Sequence, residues 1–144
     1  MDIQDCIKFA NENITGYFAT TEGDQPRVRA VLLWFADDTG FYFQTQSPKA
    51  FCKQLKNNKK VEVCFYGSWP GATGKQMMRV SGEVEFLDDP ALKDRCLQDR
   101  PFLRDLGTEK AEDVVVIFRI HTGEAYFWSR KYSMRESEIE RIKF

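Results

Sequence analysis

Residues 76–86 read QMMRVSGEVEF, and this run constrains the fold more than any other stretch of the chain. Met78, Val80, Gly82, Val84 and Phe86 fall on one face of an extended chain, and Met77, Arg79, Ser81, Glu83 and Glu85 fall on the other. Sustained period-two alternation demands a strand with one dry face and one wet face, as in an antiparallel sheet. A strand of a parallel sheet, covered on both faces, would be apolar throughout. TGYFATTE (15–22), the long β-like run from Arg27 to Phe35, FYFQTQ (41–46) and VEVCFY (61–66) read as further strands. Turn residues at Gly23-Asp24 and Asp37-Asp38-Thr39-Gly40 link the first three of these into a predicted meander. VVVIFRI and EAYFWS read as a hairpin about His121-Thr122-Gly123.

Helical patterns are fewer. Residues 2–13 place Ile3, Cys6, Ile7 and Ala10 at helical spacing behind an N-cap at Asp2. Ser47-Pro48-Lys49 reads as a helix start, with Ser47 as N-cap, Pro48 at the first helical position and Phe51, Cys52 and Leu55 on one side. Asp88-Asp89-Pro90 opens another helix through Leu97. Long strands with bare edges aggregate, so this balance of elements points to a closed or partly closed antiparallel barrel.

The 144 residues form one domain, 1–144. Twelve Phe, five Tyr and three Trp predict a core rich in flat rings. With 21 basic residues against 22 acidic ones, bulk charge attracts neither nucleic acid nor an anionic membrane, so any anion site must come from a local cluster. No stretch approaches the ~18 consecutive apolar residues of a membrane span. The opening MDIQDCIKFANEN is acidic where a secretory signal is basic, and the expected location is the cytoplasm. Cys6, Cys52, Cys64 and Cys96 lack the paired spacing of a zinc site. They are expected to be reduced, largely buried thiols, with no metal bound.

The sharpest chemical signal is FYFQTQSPKAF, a strand running directly into a helix. The open amides and positive dipole end of a helix attract anions, and Lys49 and Thr45 add a charge and a hydroxyl there. Pairing between this strand and the one before it would bring Arg27 or Arg29 to the same place. An ordinary helix start with a solvated lysine fits these residues as well, and spacing alone does not choose. Val31, Leu32, Leu33 and Trp34, with Trp128 far along the chain, fit either the wall of a planar ligand or plain core. His121, the single histidine, lies beside a turn with no nucleophile in local register, and the acid pairs Asp37/Asp38 and Asp88/Asp89 occupy turn and cap positions. A phosphate cradle and aromatic walls without acid–base apparatus suggest that a cofactor carries the chemistry.

In order and spacing, GDQPRVRAVLLWFADDTGFYFQTQSPKAFCKQLKNNKKVEVCFY, MMRVSGEVEFLDDP and AYFWS resemble the FMN-binding split-barrel family related to pyridoxamine 5′-phosphate oxidase. The likeness is to its small general-stress and nitroimidazole-reductase-like branch. The resemblance implies a mainly β fold, a six-stranded antiparallel Greek-key split barrel with short flanking helices. It also implies a homodimer with FMN at the subunit interface. By position it implies Arg29 and Lys49 as phosphate ligands, helped by Thr45 and Ser47, with Gln44 just before them. The backbone of Ala30, Val31 and Leu32 would line the isoalloxazine, with Trp34 beside it. Trp128 matches an aromatic that reaches the flavin from the other subunit, and Gln76 lies one residue out of register from a glutamine that touches the ring.

The chain also departs from the oxidase. Trp34 stands where the oxidase has a lysine, Pro48 replaces one of two adjacent basic residues, and SMRESEIERIKF replaces an Arg-x-His-Asp substrate segment, leaving Arg135 as a distant remnant. The expected function is therefore an FMN-dependent oxidoreductase acting on a small substrate or a reduced nicotinamide, not on pyridoxamine phosphate. A flavin carrier or sensor without turnover shares all these features. A deazaflavin- or haem-binding relative is the third reading, with the lone His121 as a candidate haem ligand.

Overall fold

Asp2 caps α1 (Ile3–Glu12): its carboxylate accepts from the Asp5 N–H, and the Asp5 carboxylate accepts in turn from the Asp2 N–H at 2.8 Å. The computed structural model describes residues 1–144. It continues with β1 (Thr15–Glu22), β2 (Gln25–Leu32), β3 (Phe35–Asp37) and β4 (Gly40–Gln46). Then come α2 (Ala50–Asn57), β5 (Lys60–Ser68), β6 (Lys75–Leu87), α3 (Pro90–Asp99), a 3₁₀ turn (Pro101–Asp105) and α4 (Ala111–Val114). β7 (Val115–Trp128) and β8 (Ile142–Lys143) complete the chain. All strands belong to one antiparallel sheet in the order β2-β1-β5-β6-β7-β4-β3, with β8 on β7. Six strands are long, while β3 has three residues and β8 two, so the six-stranded expectation becomes eight strands within the same split-barrel class.

The outermost strands of the sheet, β2 and β3, are consecutive in the chain and joined only by Leu33 and Trp34. Leu33 donates its N–H to the Ile14 carbonyl at 2.8 Å, and Trp34 donates to the Tyr42 carbonyl at 2.9 Å. Two adjacent residues thus bond to opposite margins of the sheet, which curls round and is closed by the chain itself. The expected three-strand meander is not formed: β2 pairs with β1 alone, and β4 pairs with β3 and β7. The unbroken apolar stretch at 30–35 hides this break, and Leu33 is itself fully buried at the seam.

Rings fill the barrel. Phe18 meets Phe43 and Phe51 edge-on at 5.1 and 5.2 Å, and Phe43 stacks on Phe118 at 5.5 Å. α1 contributes Cys6, Phe9 and Ala10 to this core and α2 contributes Phe51 and Leu55. The inner face of β6 is the one its alternation predicts, with Met78, Val80 and Val84 buried. Asp89 caps α3 through the Ala91 and Leu92 N–H groups, and Asp37 accepts from the Thr39 N–H, so these acids serve structure. Gln4 donates to Asp38, and Lys93 pairs with Asp88.

Two further boundaries differ from expectation. The predicted hairpin about His121 is instead the middle of β7, one continuous strand with a bulge opposite Gly82–Val84. α2 starts at Ala50 rather than at Ser47. β4 stays paired to β7 through Gln46–Val115, and the Ser47 N–H still bonds the Val114 carbonyl at 2.8 Å. The sheet therefore holds these residues, and Lys49, extended at φ −70° and ψ 143°, takes the N-cap position in place of Ser47. All four cysteines are free, three buried and Cys64 half-buried. No helix is long and apolar enough to cross a membrane, and no three His, Cys, Asp or Glu side chains cluster to hold a metal.

Candidate functional site

The crossover at Leu33-Trp34 leaves the barrel split. β3 covers β4 only as far as Tyr42, so residues 43–46 have a strand partner on one side alone, and β2 likewise has a partner only in β1. Residues 29–32 and 44–46 of these two margins border a cleft of about 240 Å³. A bare strand edge offers backbone N–H and C=O groups to whatever lies beside it. Arg100 partly covers that edge, donating from Nη2 to the Leu33 carbonyl at 2.6 Å.

Arg29 is one of two half-buried cations of the cleft, with Arg100. Alternation along β2 turns Arg29 and Val31 inward and leaves Val28, Ala30 and Leu32 exposed. Arg29 Nη1 donates to Thr20 Oγ1 at 2.7 Å and to the Phe18 carbonyl at 3.1 Å, and Nη2 donates to Gln54 Oε1. Its guanidinium carbon lies 4.5 Å from the Phe51 ring centre. Burial, and then the like charge of Arg27, pushes Arg29 below its ordinary pKa, yet a guanidinium stays charged at neutral pH. Lys49 stands across the cleft at the start of α2, a helix that no side chain caps. Its first-turn amides are left open for an acceptor.

The polar lining between these cations is unsatisfied. Gln44 Oε1, Thr45 Oγ1 and Gln46 Oε1 are shielded from solvent, and none has a hydrogen-bond partner. No other buried side-chain nitrogen or oxygen in the chain is in that position. An unpaired buried polar group costs roughly 1–3 kcal/mol; Gln44 and Gln46 on one face of β4 and Thr45 on the other all border the cleft, where an entering ligand can satisfy them. The lining holds three cations, Arg29, Lys49 and Arg100, and no acid, in a chain whose charges balance overall. Such a cleft suits a ligand with an anionic end and a hydrogen-bonding body. Phe102, Leu103 and Leu106, from the turn after α3, form its apolar wall.

Seven of the residues expected at a cofactor site, Arg29, Ala30, Val31, Leu32, Gln44, Thr45 and Lys49, meet here. Ser47 is adjacent in the chain but does not line the cleft. Trp34 packs away from it, meeting Phe35 edge-on at 4.8 Å and donating from Nε1 to Asp99 at 2.9 Å. Gln76 borders a different hollow beside Phe127 and Tyr132, and Trp128 lies next to it opposite Met77. His121 pairs with Glu85 at 3.0 Å on the β7 bulge, and Arg135 pairs with Glu138 at 3.3 Å. Sequence reasoning missed Gln46, Phe51, Arg100, Phe102, Leu103 and Leu106 as lining residues. Only Gln46 carried a signal, as the third polar residue closing an otherwise aromatic strand.

A 1.80 Å crystal structure of a NimC/NimA family protein from Clostridium acetobutylicum superposes with a TM-score of 0.76 at 27% identity, covering 98% of this chain and 91% of that one. General Stress Protein 26 from Bacillus anthracis shares the fold at 18% identity, with a TM-score of 0.72 and full coverage of both chains. The pyridoxine/pyridoxamine 5′-phosphate oxidase of Pseudomonas putida is 36% identical over 90 residues, which are 62% of this chain and 40% of that enzyme. The chain spans less than half the length of the three curated oxidases it matches, 35–44%. The sequence model of the family described as pyridoxamine 5′-phosphate oxidase matches residues 4–129, nearly the whole barrel, and the chain belongs to that family.

Proposed function

We propose that this protein is an FMN-dependent oxidoreductase in which the flavin phosphate is held by Arg29, Lys49, Thr45 and the open first turn of α2. Ser47 stands beside them, and the isoalloxazine lies along the bare edge at Ala30, Val31 and Leu32, with Gln44 facing it. The observation that carries this reading is the run of unpartnered oxygens on Gln44, Thr45 and Gln46 in a cleft with three cations and no acid. The Thr45 hydroxyl can donate to a phosphate oxygen, and the glutamine carbonyls can accept from ring N–H groups or bridging water. Bound flavin supplies the redox chemistry, accepting and donating a hydride. The chain binds and orients the ring, neutralises the phosphate and keeps water from one face with Phe102 and Leu106.

Two features favour a homodimer. Val28 is 70% exposed and Tyr66 58%, with Tyr17 and Leu32 close to half exposed, all on the outer face of β2, β1 and β5. An apolar patch of this kind marks an association surface. Trp128, which the resemblance brings to the flavin from the other subunit, lies outside the cleft of its own chain, as a site shared between two copies would require. Pyridoxamine phosphate is not the proposed substrate, because SMRESEIERIKF replaces the oxidase's substrate segment and Trp34 replaces one of its lysines.

Purified protein should be yellow, and acid should release one FMN per chain, identified by mass and absorbance. A colourless protein that takes up no FMN overturns the reading. Turnover with a reduced nicotinamide and an electron acceptor distinguishes an enzyme from a flavin carrier.

A further inference from the structure

We infer that Gln54 is a positioning residue, holding the Arg29 guanidinium so that its Nε–Nη2 side faces an oxyanion in the cleft. The inference rests on the proposed phosphate site and adds a residue outside it, since Gln54 does not line the cleft.

Gln54 is out of pattern for its place. It sits on the inner side of α2 beside Phe51 and Leu55 and is only 6% exposed. A primary amide buried there requires partners, and this one has them on both atoms. Oε1 accepts from the Thr20 hydroxyl at 2.6 Å and from Arg29 Nη2. Nε2 donates to Glu22 Oε2 at 3.1 Å, and Glu22 is itself paired with Arg27 at 3.1 Å. Glu22 thereby fixes which way the amide points. Turned over, its NH₂ would confront the Arg29 guanidinium and the carbonyl would confront a carboxylate.

The hydrogen inventory of Arg29 then decides what it can offer. Both Nη1 hydrogens are taken, one by Thr20 and one by the Phe18 carbonyl. One Nη2 hydrogen goes to Gln54. What remains is the second Nη2–H and the Nε–H, which lie side by side and match two oxygens of a phosphate. Phe51 fixes the plane of the group from one face. Because Gln54 shares α2 with Lys49, a single rigid helix sets the position of both cations.

The test uses the FMN-to-riboflavin affinity ratio, since riboflavin lacks the phosphate. Gln54→Met should weaken FMN binding about tenfold, the value of one charge-assisted hydrogen bond, and leave riboflavin affinity unchanged. In an Arg29→Ala background the same substitution should not move the ratio further. Equal loss of both flavins, or an undiminished effect without Arg29, would overturn the inference and show Gln54 acting through the fold alone. A parent protein that binds FMN no better than riboflavin would instead defeat the phosphate site itself. Should Gln54→Met not fold, Thr20→Val removes the other anchor of the same guanidinium and carries the same expectations.

Discussion

Gly82 and Gly123 stand opposite each other across β6 and β7, and neither has room for a side chain. A Cβ on Gly123 would lie 2.0 Å from the Ser81 carbonyl oxygen, and one on Gly82 would lie 2.4 Å from the Thr122 carbonyl oxygen. Neither glycine has a positive φ, so close approach of the two backbones, and not a turn, selects them. Immediately beyond this pair β7 spends one residue more than β6 before Val84 meets Ile120, and the bulge bends the barrel wall there.

Gly123→Ala should therefore be strongly destabilising. The clash is with backbone, which cannot swing aside, so the loss should reach or exceed the ~1–3 kcal/mol typical of overpacking. Urea denaturation should show a lower midpoint at an unchanged slope. A midpoint equal to that of the parent would contradict the close approach.

The same glycine shows where the sequence is readable and where it is not. His121-Thr122-Gly123 has the composition of a turn, and only the presence of β6 alongside reveals it as a bulge in a continuous strand. β1 and the two faces of β6 were legible because alternation depends on neighbours along the chain. The break between β2 and β3 was not, because Leu33 and Trp34 keep an apolar pattern while their N–H groups bond to Ile14 and Tyr42 on opposite margins. The start of α2 was misplaced for a similar reason: the Ser47 N–H answers to Val114, far along the chain. Of the cleft lining, Arg29, Lys49 and Thr45 could be named from spacing and resemblance. Arg100 and Leu106 could not, since they reach the cleft only through the turn after α3.

Burial should make the protein lose stability in alkali. Burial, chiefly, pushes the Cys6 thiol from its ordinary 9.0 up to about 12 and the Cys96 thiol up to about 11. Between those values the folded state holds protons that the unfolded state has released. The contribution is whole below pH 9.0 and disappears as pH rises toward 11 and 12. Replacing both cysteines by Ala should flatten the fall in denaturation midpoint above pH 9.0, and an unchanged slope would contradict it. At neutral pH iodoacetamide should label half-buried Cys64 before the other three thiols.

The outer face of β2, β1 and β5 should be where two copies meet. Val28→Lys places a charge in its most exposed apolar position. Sedimentation should show a dimer for the parent and a shift to monomer for this variant, with weaker flavin binding alongside. A parent that remains a monomer at micromolar concentration with flavin bound would contradict the shared site.

The central claim is that Arg29 and Lys49 hold a phosphate, and comparing FMN with riboflavin tests it most directly. Titration of Lys49→Ala should show FMN bound about 10- to 100-fold more weakly, as expected for loss of one charge-assisted contact to a dianion. Riboflavin affinity should be untouched by that substitution, whereas Trp128→Ala, acting on the ring, should weaken both flavins alike. A Lys49→Ala protein that binds FMN as tightly as the parent would contradict the account.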